Sequence, residues 1–268
     1  MNRMARNLFP ATKVFIGVVH LLPLPGAPLW KGDMGAVLAR AEEEAKTLEG
    51  GGVNGIIVEN FGDAPFRIGR LDPETVSAMT LAVDKVRQAT SLPVGINMLR
   101  NDAGSALAVA AVTGAAFIRV NVHYGVMAAD EGLIEGEAYH TLRQRQALGV
   151  DVKILADVMV KHAVPLGPME LGLMARETLH RGLADGLIIS GPATGMATSE
   201  RDVETARQAA PEAFILVGSG IDESNAAAVL ACADGAIVGT SLKGDGVITN
   251  PVDLARVKGM AGAIQRLT

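Results

Sequence analysis

Six polar residues stand within or just past short apolar runs, and their types suit acid–base chemistry. They are Glu59, Asn97, Arg119, Asn121, Asp157 and Lys161. Two carboxylates, two amides and two cations facing one small space could move a proton on and off a sugar-sized molecule. Arg119 and Asn121 are two residues apart, so on a strand they share a face, while Ile118 and Val120 take the other. A guanidinium on the inner face needs an anion, and Glu59, Asp157 or a ligand's carboxylate or phosphate would serve. A structural ion pair satisfies the same requirement. His20, Glu59, Asp157 and His162 could instead hold a divalent metal, but they match no tight ligand motif.

A second set is rich in glycine. Gly218, Ser219 and Gly220 follow one β-branched run, and Gly239 and Thr240 follow the next, with Lys243 just beyond. Small residues let backbone N–H groups approach a ligand, and convergent N–H groups bind anions. The segment 191–195, which ends at Gly195, adds a third small-residue turn. These positions are read as a phosphate cradle, with Lys243 as a point charge. The plain alternative is that the glycines make tight turns and the lysine is solvated.

These residues need a scaffold that brings strand ends together. Short apolar runs at residues 14–19, 55–58, 93–96, 116–120, 152–156, 186–189, 215–217 and 235–238 alternate with helical stretches. Eight such units predict a single (β/α)8 TIM barrel of eight parallel strands. The helices are expected near residues 33–49, from 72, from 102, 137–148, 169–181, from 199, 222–231 and 250–266. Asp72 before Pro73 reads as a helix cap, and Ser199 with Asp202 as a capping box. In this fold the sites lie at the C-terminal strand ends, with a phosphate often held after strands seven and eight. An open doubly wound sheet would want a dinucleotide fingerprint after its first strand, and none occurs.

The 268 residues suit one barrel domain over 1–268, and 49% hydrophobic content supplies a large aliphatic core. A net charge of −5 argues against nucleic acid as a partner. The one cysteine, Cys232, excludes an internal disulfide and a cysteine-based zinc site. With no secretion signal or membrane-spanning run, a cytoplasmic location is expected. Loop 21–30 carries Leu21, Leu22, Leu24, Leu29 and Trp30. It is read as a lid, an oligomer contact, a peripheral membrane patch, or a segment folded over the barrel mouth. A homo-oligomer is expected. No motif requires a cofactor. Strand six lacks the lysine of a Schiff-base aldolase, and no Walker loop or hydrolase elbow is present.

Several segments are distinctive together. They are His20-Leu21-Leu22-Pro23-Leu24-Pro25-Gly26, Glu59-Asn60-Phe61-Gly62-Asp63, Leu99-Arg100-Asn101-Asp102 after Asn97, and Phe117-Ile118-Arg119-Val120-Asn121. Ala156-Asp157, Lys161-His162 and Gly239-Thr240-Ser241-Leu242-Lys243 join them. Over almost the whole chain these resemble the BtpA/SgcQ family. The resemblance implies a phosphate-binding barrel. Its namesake is associated with photosystem I biogenesis at thylakoid membranes, and another member lies among sugar-phosphate metabolism proteins and has been labelled a possible nucleoside triphosphatase. The residues give that last label no support. Two functions are therefore expected. One is an isomerase, epimerase or lyase acting on a small phosphorylated substrate, a sugar phosphate or nucleotide. The other is a non-catalytic assembly factor at a membrane.

Overall fold

The computed structural model describes residues 7–191, 193–194 and 196–267. Strands β1 (Val14–His20), β2 (Gly55–Glu59), β3 (Val94–Asn97) and β4 (Phe117–Val120) are followed by β5 (Val126–Ala129) and β6 (Gly132–Glu135). Then come β7 (Lys153–Val158), β8 (Ala163–Pro165), β9 (Gly186–Ile189), β10 (Ile215–Val217) and β11 (Gly235–Val238). The helices are α1 (Met34–Gly51), α2 (Pro73–Ala89), α3 (Ala103–Thr113), α4 (Ala138–Leu148), α5 (Leu171–His180), α6 (Glu200–Ala209), α7 (Ala226–Val229) and α8 (Leu254–Gln265). Eight parallel strands close in the order β1-β2-β3-β4-β7-β9-β10-β11, so the expected barrel forms.

Period-two alternation divides the core in two. Val14, Ile16, Ile57, Phe117, Leu155, Ile188, Leu216 and Ile237 fill the inside. Ile118, Val120, Ile154 and Val158 face outward into the helix layer. Phe9 closes the N-terminal end, its ring 5.6 Å from Phe117 and 6.2 Å from Phe214. Gly95 makes room for this packing, since a Cβ there would stand 2.1 Å from the Phe117 ring.

Three elements differ from the sequence reading. The connection after β4 holds a hairpin, and β6, β5 and β8 form a small antiparallel sheet beyond the barrel's C-terminal end. Met127 and Ile134 are its buried anchors. Next, the helix expected at residues 222–231 shrinks to the four residues of α7. Asp222 Oδ1 accepts from the amides of Ser224 and Asn225, holding a local turn where helix was expected. Finally, α8 starts at Leu254 rather than at residue 250, because Asp253 Oδ1 caps it at the Arg256 amide.

The caps divide similarly. Asp102 caps α3 through Oδ1 on the Ser105 amide at 2.9 Å and takes the Leu71 amide on Oδ2 at 2.8 Å. Asp72 and Ser199 make no side-chain cap bond, and Asp72 pairs with Arg67 instead.

Candidate functional site

Parallel register sets the site. His20 lies opposite Glu59, and Glu59 opposite Asn97, so three adjacent strand tips present a histidine, a carboxylate and an amide at one level. Arg119, 4% exposed, points into the barrel as its spacing requires. Its Nε and Nη2 donate to Asp157 Oδ2 and Oδ1 at 3.0 and 2.9 Å, and Nη1 donates to Glu59 Oε1 at 3.3 Å. Asn97 Nδ2 also donates to Glu59 Oε1, at 2.9 Å. Asn121 Nδ2 donates to Asp157 Oδ2 at 3.0 Å, and Ser190 Oγ to Oδ1 at 3.1 Å. Bidentate guanidinium–carboxylate bonding of this kind fixes geometry as well as charge. Burial opposes a charged Arg119, yet the two carboxylates outweigh it and hold the guanidinium firmly protonated.

Two cavities open on this layer. One, of about 160 Å³, lies between His20, Glu59, Arg119 and Lys161 on one side and residues 218–222 and 237–241 on the other. The second, of about 140 Å³, is lined by Asn97, Asn121, Arg100, Phe61, Phe66 and others. Glu59, Arg119, Lys161 and Thr194 line both. Among the described residues no hydrogen bond uses the amides of Gly220, Gly239, Thr240 or Ser241. The glycines there also give way to neighbours. A Cβ on Gly239 would stand 2.6 Å from the His20 ring, and one on Gly218 would stand 2.7 Å from Ser190 Oγ. Gly220 has φ +64°, a conformation that favours glycine.

The titratable groups are tuned mainly by burial. Desolvation, then the charges of Lys243, Lys161 and Arg119, hold His20 neutral, well below its ordinary 6.5. Burial lowers Lys161 too, with Arg119 adding to the shift and Glu59 and Asp157 opposing it. Among the described residues the Lys161 ammonium has no hydrogen bond or ion pair. The second cavity is roofed by the hairpin tip. Arg100, 5% exposed, donates from Nε to Glu131 Oε1 at 2.9 Å and from Nη1 to the Lys161 carbonyl at 3.2 Å. Its Nη2 lies 3.6 Å from Asp130.

The structure brings Glu59, Asn97, Arg119, Asn121 and Lys161 to the cavities, with Gly218, Ser219, Gly220, Gly239 and Thr240 across from Lys161. Two expectations need correction. Lys243 does not meet these loops: its Nζ is 2.7 Å from Glu44 Oε2, both side chains 1% exposed, because α1 brings a buried carboxylate to it. Asp157 lies beneath Arg119 and lines neither cavity, with both oxygens engaged by Arg119, Asn121 and Ser190. It positions the guanidinium.

Gly195 lies outside the described residues. The metal set does not assemble: Arg119 stands between Glu59 and Asp157, His162 bonds Thr194, and no cluster of three ligating side chains occurs among the described residues. In loop 21–30, Leu21 and Leu24 are buried and pack on the core, while Leu29 is 64% exposed. No helix among the described residues is long and apolar enough to cross a membrane. Thr194 and Ser241 also line the first cavity, although a hydroxyl in a polar loop carries no pattern of its own.

Comparison with known proteins agrees with this architecture. The chain is 10% identical to a phosphoribosyl anthranilate isomerase from Thermus thermophilus, with TM-score 0.58 over 95% of this chain and 100% of that one. It is 30% identical over 255 residues to the Putative sgc region protein SgcQ of Escherichia coli, covering 94% of each. It is 54% identical over 249 residues to the Photosystem I biogenesis protein BtpA of Synechocystis sp., covering 93% of this chain and 87% of that one. The sequence model of the BtpA family matches residues 11–266, and the chain belongs to that family.

Proposed function

We propose that the barrel is an enzyme that binds a small phosphorylated substrate and moves a proton on it, as an isomerase, epimerase or lyase does. The observation that carries this reading is the first cavity. One wall offers the amides of Gly220, Gly239, Thr240 and Ser241, unused among the described residues, and the other holds an amine unpaired among them and a carboxylate. Convergent amides suit the phosphate. Lys161, whose ammonium is made easier to deprotonate by burial, takes or returns the proton. Arg119, locked by Asp157, supplies a fixed positive field where negative charge develops. That the isomerase of like fold is named for a phosphoribosyl compound is consistent with the choice of ligand.

The test is a thermal-shift screen with sugar phosphates and nucleotides, followed by solvent deuterium exchange into any ligand that stabilises. At least one phosphorylated compound raises the melting temperature and exchanges a carbon-bound proton. Stabilisation by none of them defeats the reading.

A second reading follows from the relative named for photosystem I biogenesis. In it the barrel serves as an assembly factor, touching a membrane through the loop that exposes Leu29. Co-sedimentation with anionic vesicles that is lost in Leu29→Asp supports it. Absence of co-sedimentation from the parent protein removes it.

A further inference from the structure

Asn97 and Asn121 are 1% and 3% exposed, one ending β3 and the other directly following the neighbouring β4, and each gives its Nδ2 to a carboxylate, at 2.9 and 3.0 Å. A carboxylate facing an amide takes its NH₂, so these contacts fix which way each amide points. The other atom of each amide, Oδ1, is buried and has no hydrogen-bond partner among the described residues. Both residues line the second cavity. An orphaned buried acceptor is costly, and two together mark a place for donors. A cationic donor is less favoured than a neutral one, because Arg100, Arg119 and Lys161 outnumber the carboxylates Glu59 and Asp130 in the same lining. Neutral donors remain, and the hydroxyls of a polyol are the ones that two separate carbonyl oxygens take most readily.

We infer that the second cavity is a hydroxyl-reading subsite, in which Asn97 Oδ1 and Asn121 Oδ1 each accept from a hydroxyl of a phosphorylated polyhydroxy substrate whose phosphate lies in the first cavity. The inference rests on the phosphate reading proposed above, and the two cavities share Glu59, Arg119, Lys161 and Thr194 in their linings. It narrows the substrate to compounds with hydroxyls several bonds from the phosphate. It also assigns the two asparagines a role in specificity and none in proton transfer.

Titration calorimetry with inorganic phosphate, n-pentyl phosphate, ribose 5-phosphate and adenosine monophosphate tests it on the unaltered protein. Ribose 5-phosphate should bind about tenfold or more tighter than pentyl phosphate, as two hydrogen bonds of ordinary strength imply. Asn121→Ala, checked for folding by circular dichroism, should erase most of the ratio between the two esters. Equal binding of the two esters overturns the subsite while the phosphate reading stands. Tighter binding of adenosine monophosphate than of ribose 5-phosphate overturns it in favour of base N–H donors. Binding of none of the four removes both readings.

Discussion

Arg119 is the residue on which the mouth of the barrel depends. It is a single cation between two buried carboxylates, so its loss leaves Glu59 and Asp157 facing each other uncompensated. Arg119→Met should cost about 3–5 kcal/mol in chemical denaturation, the usual penalty for breaking a buried pair from one side. Arg119→Lys keeps the charge but loses the bidentate fork, and should lie between the two. The two lysines make a sharper contrast. Lys161→Met should weaken binding of any phosphorylated ligand about tenfold or more by titration calorimetry, since its ammonium is unpaired among the described residues and lines the cavity. Lys243→Met should leave that affinity within about twofold and lower stability instead, since its charge is spent on Glu44. The inward aim of Arg119 was legible in its two-residue offset from Asn121. The fate of Lys243 was not, because its partner is 199 residues away in sequence and arrives only when α1 packs against the last strand's loop.

At the level of elements, the barrel strands could be read because each is a β-branched run fully buried on both faces. The hairpin was not readable. Val126-Met127-Ala128-Ala129 has a single β-branched residue, and its pairing with β8 crosses α4 and β7. Caps showed the same limit, because a Ser or Asp before a helix offers an oxygen that a competing partner can take. The structure therefore predicts unequal penalties. Asp102→Ala, which strips both the α3 cap and the Leu71 contact, should cost about 2 kcal/mol or more in urea denaturation. Ser199→Ala and Asp72→Ala, which break no cap bond, should each stay within about 0.5 kcal/mol.

For the whole molecule, the pH response follows from histidines buried in neutral form. Burial is the main cause lowering His20 and His123 from an ordinary 6.5. The unfolded chain thus binds protons first as pH falls. Stability is complete above about 6.5 and is lost as pH drops from there toward the depressed folded values. Thermal melts between pH 7 and 5 should show a falling midpoint, and His20→Gln should shallow that slope. A flat profile would mean that these rings gain protons without penalty. The apolar loop 21–30 belongs to this scale too: its composition showed that it had surface to hide, but only the closed barrel revealed that Leu21 and Leu24 hide it inward.

The tie between Arg100 and the tip of the β5–β6 hairpin bears on how such barrels can be recombined. A chimera that transplants residues 126–135 from another barrel would strand a guanidinium with 6% side-chain exposure unless the incoming turn also carried an acid in the place of Glu131. Grafts in this family should therefore be cut so that the third and fourth loops travel together as one cassette.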